Sequence, residues 1–122
     1  MVGTNLISKS ANKFALYTPS SKEVNLLDYE LTFSYLLNIK PDVVVNLAGK
    51  VGGIKSNIES NYQFLSQNLL INHNLIQACH KSGIRNLLNV SSSCIYPKDF
   101  ENPLKESDIL ASYLEPTNEG YA

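Results

Sequence analysis

Two apolar runs on either side of an amphipathic stretch constrain the fold of this chain more than any other feature. Residues 43–47 read Val-Val-Val-Asn-Leu and residues 87–90 read Leu-Leu-Asn-Val, which is typical of strands buried on both faces of a parallel sheet. The stretch between them predicts a helix from about Asn61 to Lys81. Its buried face repeats at spacings of four and three: Phe64, Asn68, Ile71, Leu75 and Ala78.

The remaining periodic segments extend this pattern towards the N-terminus. A helical pattern begins almost at residue 1, residues 13–17 indicate a short strand, and Asp28 is a plausible N-cap for the next helix. The order is therefore strand, helix, strand, helix, strand. Parallel strands joined by right-handed crossovers predict an α/β fold.

Composition excludes several classes of function. A chain of 122 residues with a formal net charge of −1 is one small domain's worth of protein, with no electrostatic signal for nucleic acid or an anionic membrane. No apolar run approaches the ~20 residues that span a bilayer, and no signal region is visible. Two cysteines form no disulfide framework, so we expect a reduced, cytoplasmic setting. No metal site is predicted.

The densest chemistry follows the second apolar run, where Ser91-Ser92-Ser93-Cys94-Ile95-Tyr96-Pro97 offers hydroxyls, a thiol and a phenol. Ligands of open α/β sheets bind at the carboxyl edge of the strands. The alternative is a serine-rich turn in which Pro97 stops the strand. Cys94 also has two interpretations. It is either a reactive thiol at this edge or a small buried hydrophobe, which is what a cysteine in an arbitrary sequence most often is.

The long helix carries one polar residue on its apolar face. Asn68 either lies at the edge of that face, or its amide holds a water or a backbone group beside the site. Cys79 is expected in the core and His80 on the surface, with Gly83 ending the helix. His73 is expected to face solvent. The small residues at positions 48–53 allow a close approach of the backbone.

Three blocks carry a resemblance to a known family. They are Leu-Ala-Gly-Lys-Val-Gly-Gly-Ile at residues 47–54, Ser-Ser-Cys-Ile-Tyr-Pro at 92–97 and Leu-Glu-Pro-Thr-Asn-Glu-Gly-Tyr-Ala at 114–122. In these blocks the chain resembles the GDP-L-fucose synthases, which are NADP-dependent epimerase/reductases of the extended short-chain dehydrogenase group. The resemblance covers essentially the whole chain.

The resemblance implies an activity and a set of site residues. The activity is 3,5-epimerisation and 4-reduction of GDP-4-keto-6-deoxy-D-mannose to GDP-L-fucose, with NADP(H) as cofactor and a homodimer that uses the helix near 61–81. The implied catalytic residues are Ser92, Cys94 and Tyr121. The implied cofactor-binding residues are Met1, Val2, Gly3, Ser21, Lys22, Leu47, Ala48, Gly49, Val90 and Ser91.

Departures from the family pattern matter equally. The first strand, the first two glycines of the phosphate loop, the lysine of the Tyr-x-x-x-Lys motif and everything beyond it are missing. The resemblance therefore implies a partial dinucleotide-binding Rossmann domain over residues 1–122, without a substrate domain and inactive by itself. In this reading the missing strand belongs between those at residues 13–17 and 43–47.

Alternatives to this reading stay open. Ser21 stands where relatives often have an arginine for the 2′-phosphate, and Lys22 could substitute as a less directional charge. NADP rather than NAD is thus implied by the resemblance alone. Another sugar-nucleotide enzyme of the group (a 4-epimerase or 4,6-dehydratase) and a non-catalytic remnant are the other candidates.

Overall fold

The computed structural model describes residues 2–100 and 102–122. These residues form four α-helices, two strands and two short 3₁₀ turns. The helices are α1 (Val2–Ser10), α2 (Tyr29–Ile39), α3 (Ile54–Glu59) and α4 (Asn61–Lys81); the strands are β1 (Val44–Asn46) and β2 (Leu87–Asn89); the turns are η1 (Ser93–Ile95) and η2 (Glu106–Asp108). The predicted α/β class and the predicted bounds of the long helix are confirmed.

The chain divides into two compact units. One comprises the described residues up to Ala48 together with His73–Asn89, and the other comprises Gly49–Asn72 and Val90–Ala122. The first contains both strands, α1 and α2. The second contains α3, the turns and the polar segment that ends at Ala122.

The two strands pair in parallel, and asparagines fix their register. Val44 faces Leu87 and Asn46 faces Asn89. The Asn46 amide donates to Asn89 Oδ1 at 2.6 Å, and Asn86 Nδ2 donates to the Asp42 carbonyl at 3.1 Å. A slip of one residue would separate both pairs and turn the strand over. Side chains therefore reinforce the backbone ladder at both of its ends.

The core of the first unit gathers α2 and α4 beside the strands. Leu36, Leu75, Ala78 and Cys79 are buried, with Val44 and Leu87 packed against them. As expected, Asp28 caps α2, because its Oδ1 accepts the Leu31 N–H at 3.0 Å. The prediction for Cys79 is confirmed, and His73 and His80 are exposed as expected.

The predicted strand at residues 13–17 is wrong. The N–H groups of Lys13 and Phe14 both bond to the Ser10 carbonyl, closing the turn that ends α1. The backbone then runs on without regular structure, and Phe14 is 67% exposed. A strand exists only where a neighbour accepts its hydrogen bonds, and in the described sheet β1 pairs with β2 alone.

The expected burial of the strands on both faces is also wrong. Val45 and Leu88 lie opposite each other, and both are exposed. Only the face that carries Val44 and Leu87 meets the core.

The sequence did not predict α3, because six residues after a glycine without a side-chain cap give little periodic signal. None of the described helices is long and apolar enough to span a membrane.

Replacing Lys40 by glycine is expected to raise the free energy of unfolding by about 0.5–1 kcal/mol. Lys40 ends α2 with a φ of 47°, and its N–H bonds to the Leu36 carbonyl. Glycine adopts this left-handed conformation without a steric cost. Urea denaturation followed by circular dichroism measures the gain. Lys40→Ala is the control, since it keeps the Cβ; equal stability of the two variants would contradict the argument.

Candidate active site

The serine-rich stretch after β2 forms a defined turn that fixes Ser92. Ser92 is the N-cap of η1, with extended backbone angles (φ −121°, ψ 149°). Its Oγ accepts the Cys94 N–H at 3.2 Å. Because that bond uses a lone pair, the hydroxyl hydrogen stays available to donate to a carbonyl oxygen. Pro97 is buried just beyond the turn.

The two cysteines lie in opposite environments. Cys79 is 2% exposed, and burial raises the pKa of its thiol above the ordinary value, as for a core residue. Cys94 is half-buried, and its sulfur accepts a hydrogen bond from Asn118 Nδ2 at 3.2 Å. Cys79 is therefore the buried, hydrophobic cysteine of this chain, whereas Cys94 lies in a more polar and accessible environment.

The segment around Tyr121 is a turn organised by Asn118. The Asn118 carbonyl accepts the N–H groups of Tyr121 at 2.9 Å and Ala122 at 3.0 Å. These bonds close a turn, and the described segment does not continue into a helix. The Asn118 side chain reaches Cys94, 24 positions earlier in the chain.

A glycine lets this turn come close to the start of α4. A Cβ at Gly120 would overlap the side chain and carbonyl of Asn61. A hydrogen bond from the Cys94 N–H to the Ser92 hydroxyl thus joins these two residues, and Asn118 joins Cys94 to the turn of Tyr121. Within the described residues no hydrogen bond links the Ser92 hydroxyl directly to the Tyr121 phenol.

An ion pair ties together the two segments that bracket this site. The Lys98 ammonium lies 3.0 Å from the Glu115 carboxylate, and the Lys98 N–H bonds to the Tyr113 carbonyl. The side-chain hydrogen bond holds the pKa of Glu115 below its ordinary value and raises that of Lys98. Both side chains are partly exposed, so the pair contributes modestly.

The glycine loop at residues 49–53 is clamped to α4. Asn68 Oδ1 accepts the Lys50 N–H at 2.7 Å, and Asn68 Nδ2 donates to the Lys50 carbonyl at 3.0 Å. The interpretation of Asn68 as an amide that holds a backbone group is confirmed. The Lys50 ammonium lies over the Phe64 ring, 5.5 Å from its centroid.

The residues implied for the cofactor are distributed over both units. In the first unit, a Cβ on Gly3 in the first turn of α1 would lie 3.6 Å from Leu47 Cδ1. Ala48 donates its N–H to Asn46 Oδ1 at 3.0 Å. Val2 is exposed, and Met1 lies outside the described residues. In the second unit, Gly49, Val90 and Ser91 are all exposed.

The exposed turn that carries Ser21 and Lys22 is closed by its own carboxylate. Glu23 Oε2 accepts both the N–H and the hydroxyl of Ser20 at 2.8 Å. These bonds, that from the backbone first, lower the pKa of Glu23. Lys22 therefore projects from a preformed turn in which the neighbouring negative charge is already hydrogen-bonded.

Sequence reasoning missed the roles of Asn118 and of the Lys98–Glu115 pair. The contact of Asn118 spans 24 positions of the chain and leaves no periodic trace in the sequence. The only feature that could have indicated this contact is that a partly buried cysteine sulfur can accept a hydrogen bond from a nearby donor. No group of three or more His, Cys, Asp or Glu side chains in residues 2–100 and 102–122 is placed to hold a metal ion.

Comparisons with known proteins agree on one family. Residues 3–122 match the sequence profile described as the NAD dependent epimerase/dehydratase family. The chain is 45% identical over its whole length to the GDP-L-colitose synthase of Yersinia pseudotuberculosis and 43% identical to the GDP-L-fucose synthase of Azorhizobium caulinodans. It spans 40% and 39% of the lengths of these two relatives.

Solved structures agree on the fold. A protein designated DdhaC superposes with a TM-score of 0.93 over 98% of this chain and 35% of its own, at 29% identity. A GDP-L-fucose synthetase from Naegleria fowleri, solved with NADP bound, superposes with a TM-score of 0.82 over 97% of this chain and 35% of its own. Its identity of 24% makes it a likeness of fold alone. These neighbours confirm the predicted partial Rossmann fold.

Replacing Gly52 by alanine is expected to lower the free energy of unfolding by about 1–3 kcal/mol. The new Cβ would lie 2.8 Å from Phe64 Cζ and 3.1 Å from Ser56 Cβ. Phe64 is 3% exposed, so its ring has little room to move. Gly53→Ala is the matched control, because nothing lies within 4 Å of its added Cβ. Urea titration of both variants decides; a harmless Gly52→Ala would show that the loop is not clamped.

Replacing Glu115 by glutamine is expected to destabilise the chain slightly at neutral pH but not in acid. A carboxyl with a depressed pKa adds stability above its ordinary value of 4.5, and that contribution is lost as the pH falls through the lower folded value. The raised pKa of Lys98 extends the window upward past 10.5. Thermal melts across this range measure the difference.

Glu119→Gln is the control for this experiment. It removes one exposed carboxylate in the same segment without touching Lys98. A Glu115→Gln difference that persists at low pH, or one that Glu119→Gln reproduces, would show that the ion pair is not its source.

Proposed function

We propose, because this chain belongs to the NAD dependent epimerase/dehydratase family, that it is part of an NADP(H)-dependent enzyme that epimerises and reduces a GDP-4-keto sugar. The favoured substrate is GDP-4-keto-6-deoxy-D-mannose and the product GDP-L-fucose, after the named activity of the Azorhizobium relative. One observation carries the proposal: Ser92, Cys94 and the turn of Tyr121 are linked by hydrogen bonds within one compact unit.

Cys94 supplies one of the two proton-transfer groups for epimerisation. A C4 ketone acidifies the hydrogens on C3 and C5 of the sugar, so a base can remove each one and an acid can return it on the opposite face. Cys94 is half-buried and its sulfur already accepts a hydrogen bond, which suits a group that exchanges a proton with substrate. Cys79, buried in the core, has no such access.

Tyr121 and Ser92 serve the reduction at C4. Ser92 keeps its hydroxyl hydrogen available because its lone pair accepts the Cys94 N–H, so it can donate to the ketone oxygen. The Tyr121 phenol gives the proton that this oxygen takes as the carbonyl becomes an alcohol. NADPH, when bound, supplies the hydride.

The residues present fit a dinucleotide in two respects. The first turn of α1 contains Gly3 and no acidic side chain, so its unpaired N–H groups can meet a diphosphate. Lys22 offers a cation for a 2′-phosphate from a turn in which the Glu23 carboxylate is already engaged. These residues bind and orient the cofactor.

The homodimer of the complete protein is assigned to one face of α4. Tyr62, Leu65 and Leu69 recur at helical spacing and are exposed, with Tyr62 at 78%. Apolar side chains in a stripe of this kind are suited to a helix-to-helix contact between protomers.

A second candidate product is GDP-L-colitose. It is favoured by the relative from Yersinia pseudotuberculosis, which is named for that product and is 45% identical to this chain. Colitose lacks the C3 hydroxyl of fucose, so the two activities start from different 4-keto sugars, one with this hydroxyl and one without it. NADPH oxidation measured with each keto sugar separately distinguishes them.

The test is a chimera in which this chain replaces its counterpart in the Azorhizobium GDP-L-fucose synthase. We expect NADPH oxidation with the keto sugar and deuterium incorporation at C3 and C5 from D₂O. Tyr121→Phe should reduce NADPH oxidation by about 100-fold or more and leave deuterium exchange largely intact, while Cys94→Ser should abolish the exchange.

Matched controls lie in the same segments. Ser93→Ala removes an exposed hydroxyl beside Ser92, and Tyr113→Phe removes the phenol of a residue that is 92% exposed. Both should keep full activity. Undiminished exchange in Cys94→Ser, or a folded chimera that binds NADPH and turns over neither keto sugar, would refute the proposal.

A further inference from the structure

We propose that Asn118 is a positioning residue that holds the Cys94 sulfur by its side chain and the turn of Tyr121 by its backbone. The inference rests on the proposed function, since it assigns the proton-transfer role to Cys94. No sequence pattern marks Asn118, and the structure gives its side chain a partner 24 positions away, the Cys94 sulfur.

The orientation of the amide carries the first step of the argument. Asn118 Nδ2 lies 3.2 Å from Cys94 Sγ, so the sulfur is the acceptor. The Oδ1 atom of the same amide is buried without a hydrogen-bond partner in the described structure, which costs free energy. The amide thus gives its donor to the sulfur while its acceptor goes unsatisfied.

A donor at the sulfur favours the charged form. A base that removes a proton from carbon takes that proton onto sulfur, and the electron pair of the C–H bond stays with the substrate as an enolate. A hydrogen bond donated to the thiolate stabilises the state from which this step starts. Asn118 acts through Cys94 and touches no reacting carbon.

The sulfur is also fixed from the other side. The Cys94 N–H bonds to Ser92 Oγ, which sets the backbone of Cys94 in η1. The Asn118 carbonyl accepts the N–H of Tyr121. One residue thus connects the thiol of the epimerisation step with the turn that presents the phenol of the reduction step.

Charged neighbours do not replace this donor. Two segments meet at the sulfur, residues 92–99 and residues 115–122. Besides Cys94, their ionisable side chains are those of Tyr96, Lys98, Asp99, Glu115, Glu119 and Tyr121. Lys98 and Glu115 are paired with each other. The hydrogen bond described at the sulfur therefore comes from an uncharged amide, which keeps its proton wherever a thiol titrates.

The test measures thiol reactivity on the 122-residue chain, without substrate or cofactor. Iodoacetamide is applied from about pH 6 to about pH 10, which brackets an ordinary thiol, and labelling of Cys94 and Cys79 is read separately by peptide mass spectrometry. The variants are Asn118→Ala, which removes the amide, and Asn118→Asp, which keeps its shape and replaces the donor by an oxygen. Glu119→Gln is the matched control.

The expected result is specific to one thiol. The rate of Cys94 labelling should fall about tenfold in Asn118→Ala and further in Asn118→Asp, as expected for the loss of one hydrogen bond to a charged atom. Labelling of Cys79 should not change in either variant, and Glu119→Gln should label at both cysteines like the unaltered chain.

Two outcomes would overturn the inference. An unchanged Cys94 profile in Asn118→Asp would show that the amide gives the sulfur nothing. Parallel changes at Cys94 and Cys79 in both variants would show that Asn118 only supports the fold. Because no turnover is measured, either result can occur while the chimera remains active, so the two proposals fail separately.

Discussion

The parallel pairing of β1 with β2 is the constraint on which the rest of the structure depends. Parallel neighbours cannot be joined by a tight turn, so the chain between them must cross over. The 21 residues of α4 form most of that crossover and supply Leu75, Ala78 and Cys79 to the core. The hydrogen bond from the Asn46 side-chain amide to Asn89 Oδ1 fixes the register more firmly than a backbone ladder of three residues per strand would alone.

The sequence pattern predicted the longer helices correctly, because a helix forms its backbone hydrogen bonds within one continuous stretch of residues. The repeat of four and three residues predicted α4 with the bounds that the structure has, and Asp28 marked the start of α2. The segment at residues 13–17 failed because strand propensity says only that a backbone can extend, whereas a strand also needs a neighbour. The predicted burial of Val45 and Leu88 failed for a similar reason. An apolar run indicates that a strand favours burial, but it does not show which element would pack against it.

The candidate site divides in the same way. The blocks around Ser92, Cys94 and Tyr121 were visible as motifs because their residue types are unusual together. The contacts that organise them were not visible, since the bond from Asn118 to Cys94 joins two irregular segments that no period relates. The pair of Lys98 and Glu115 is equally silent in the sequence, because charged residues on exposed loops usually face only water.

Among the residues that the structure describes, asparagine amides make most of the long-range side-chain hydrogen bonds. Their side chains join β1 to β2, α4 to the glycine loop, α4 to the carbonyl of Leu26, and the last turn to the thiol: Asn46, Asn68, Asn74 and Asn118. An amide carries both a donor and an acceptor and stays neutral from acid to alkaline pH. That property matters most in the role proposed for Cys94, because a proton-transfer site must keep its geometry in two charge states. The Asn118 donor serves a thiolate, and a half-turn of the same amide would present its unpaired oxygen to a thiol. A lysine in its place could serve only the first state, and an aspartate would oppose it.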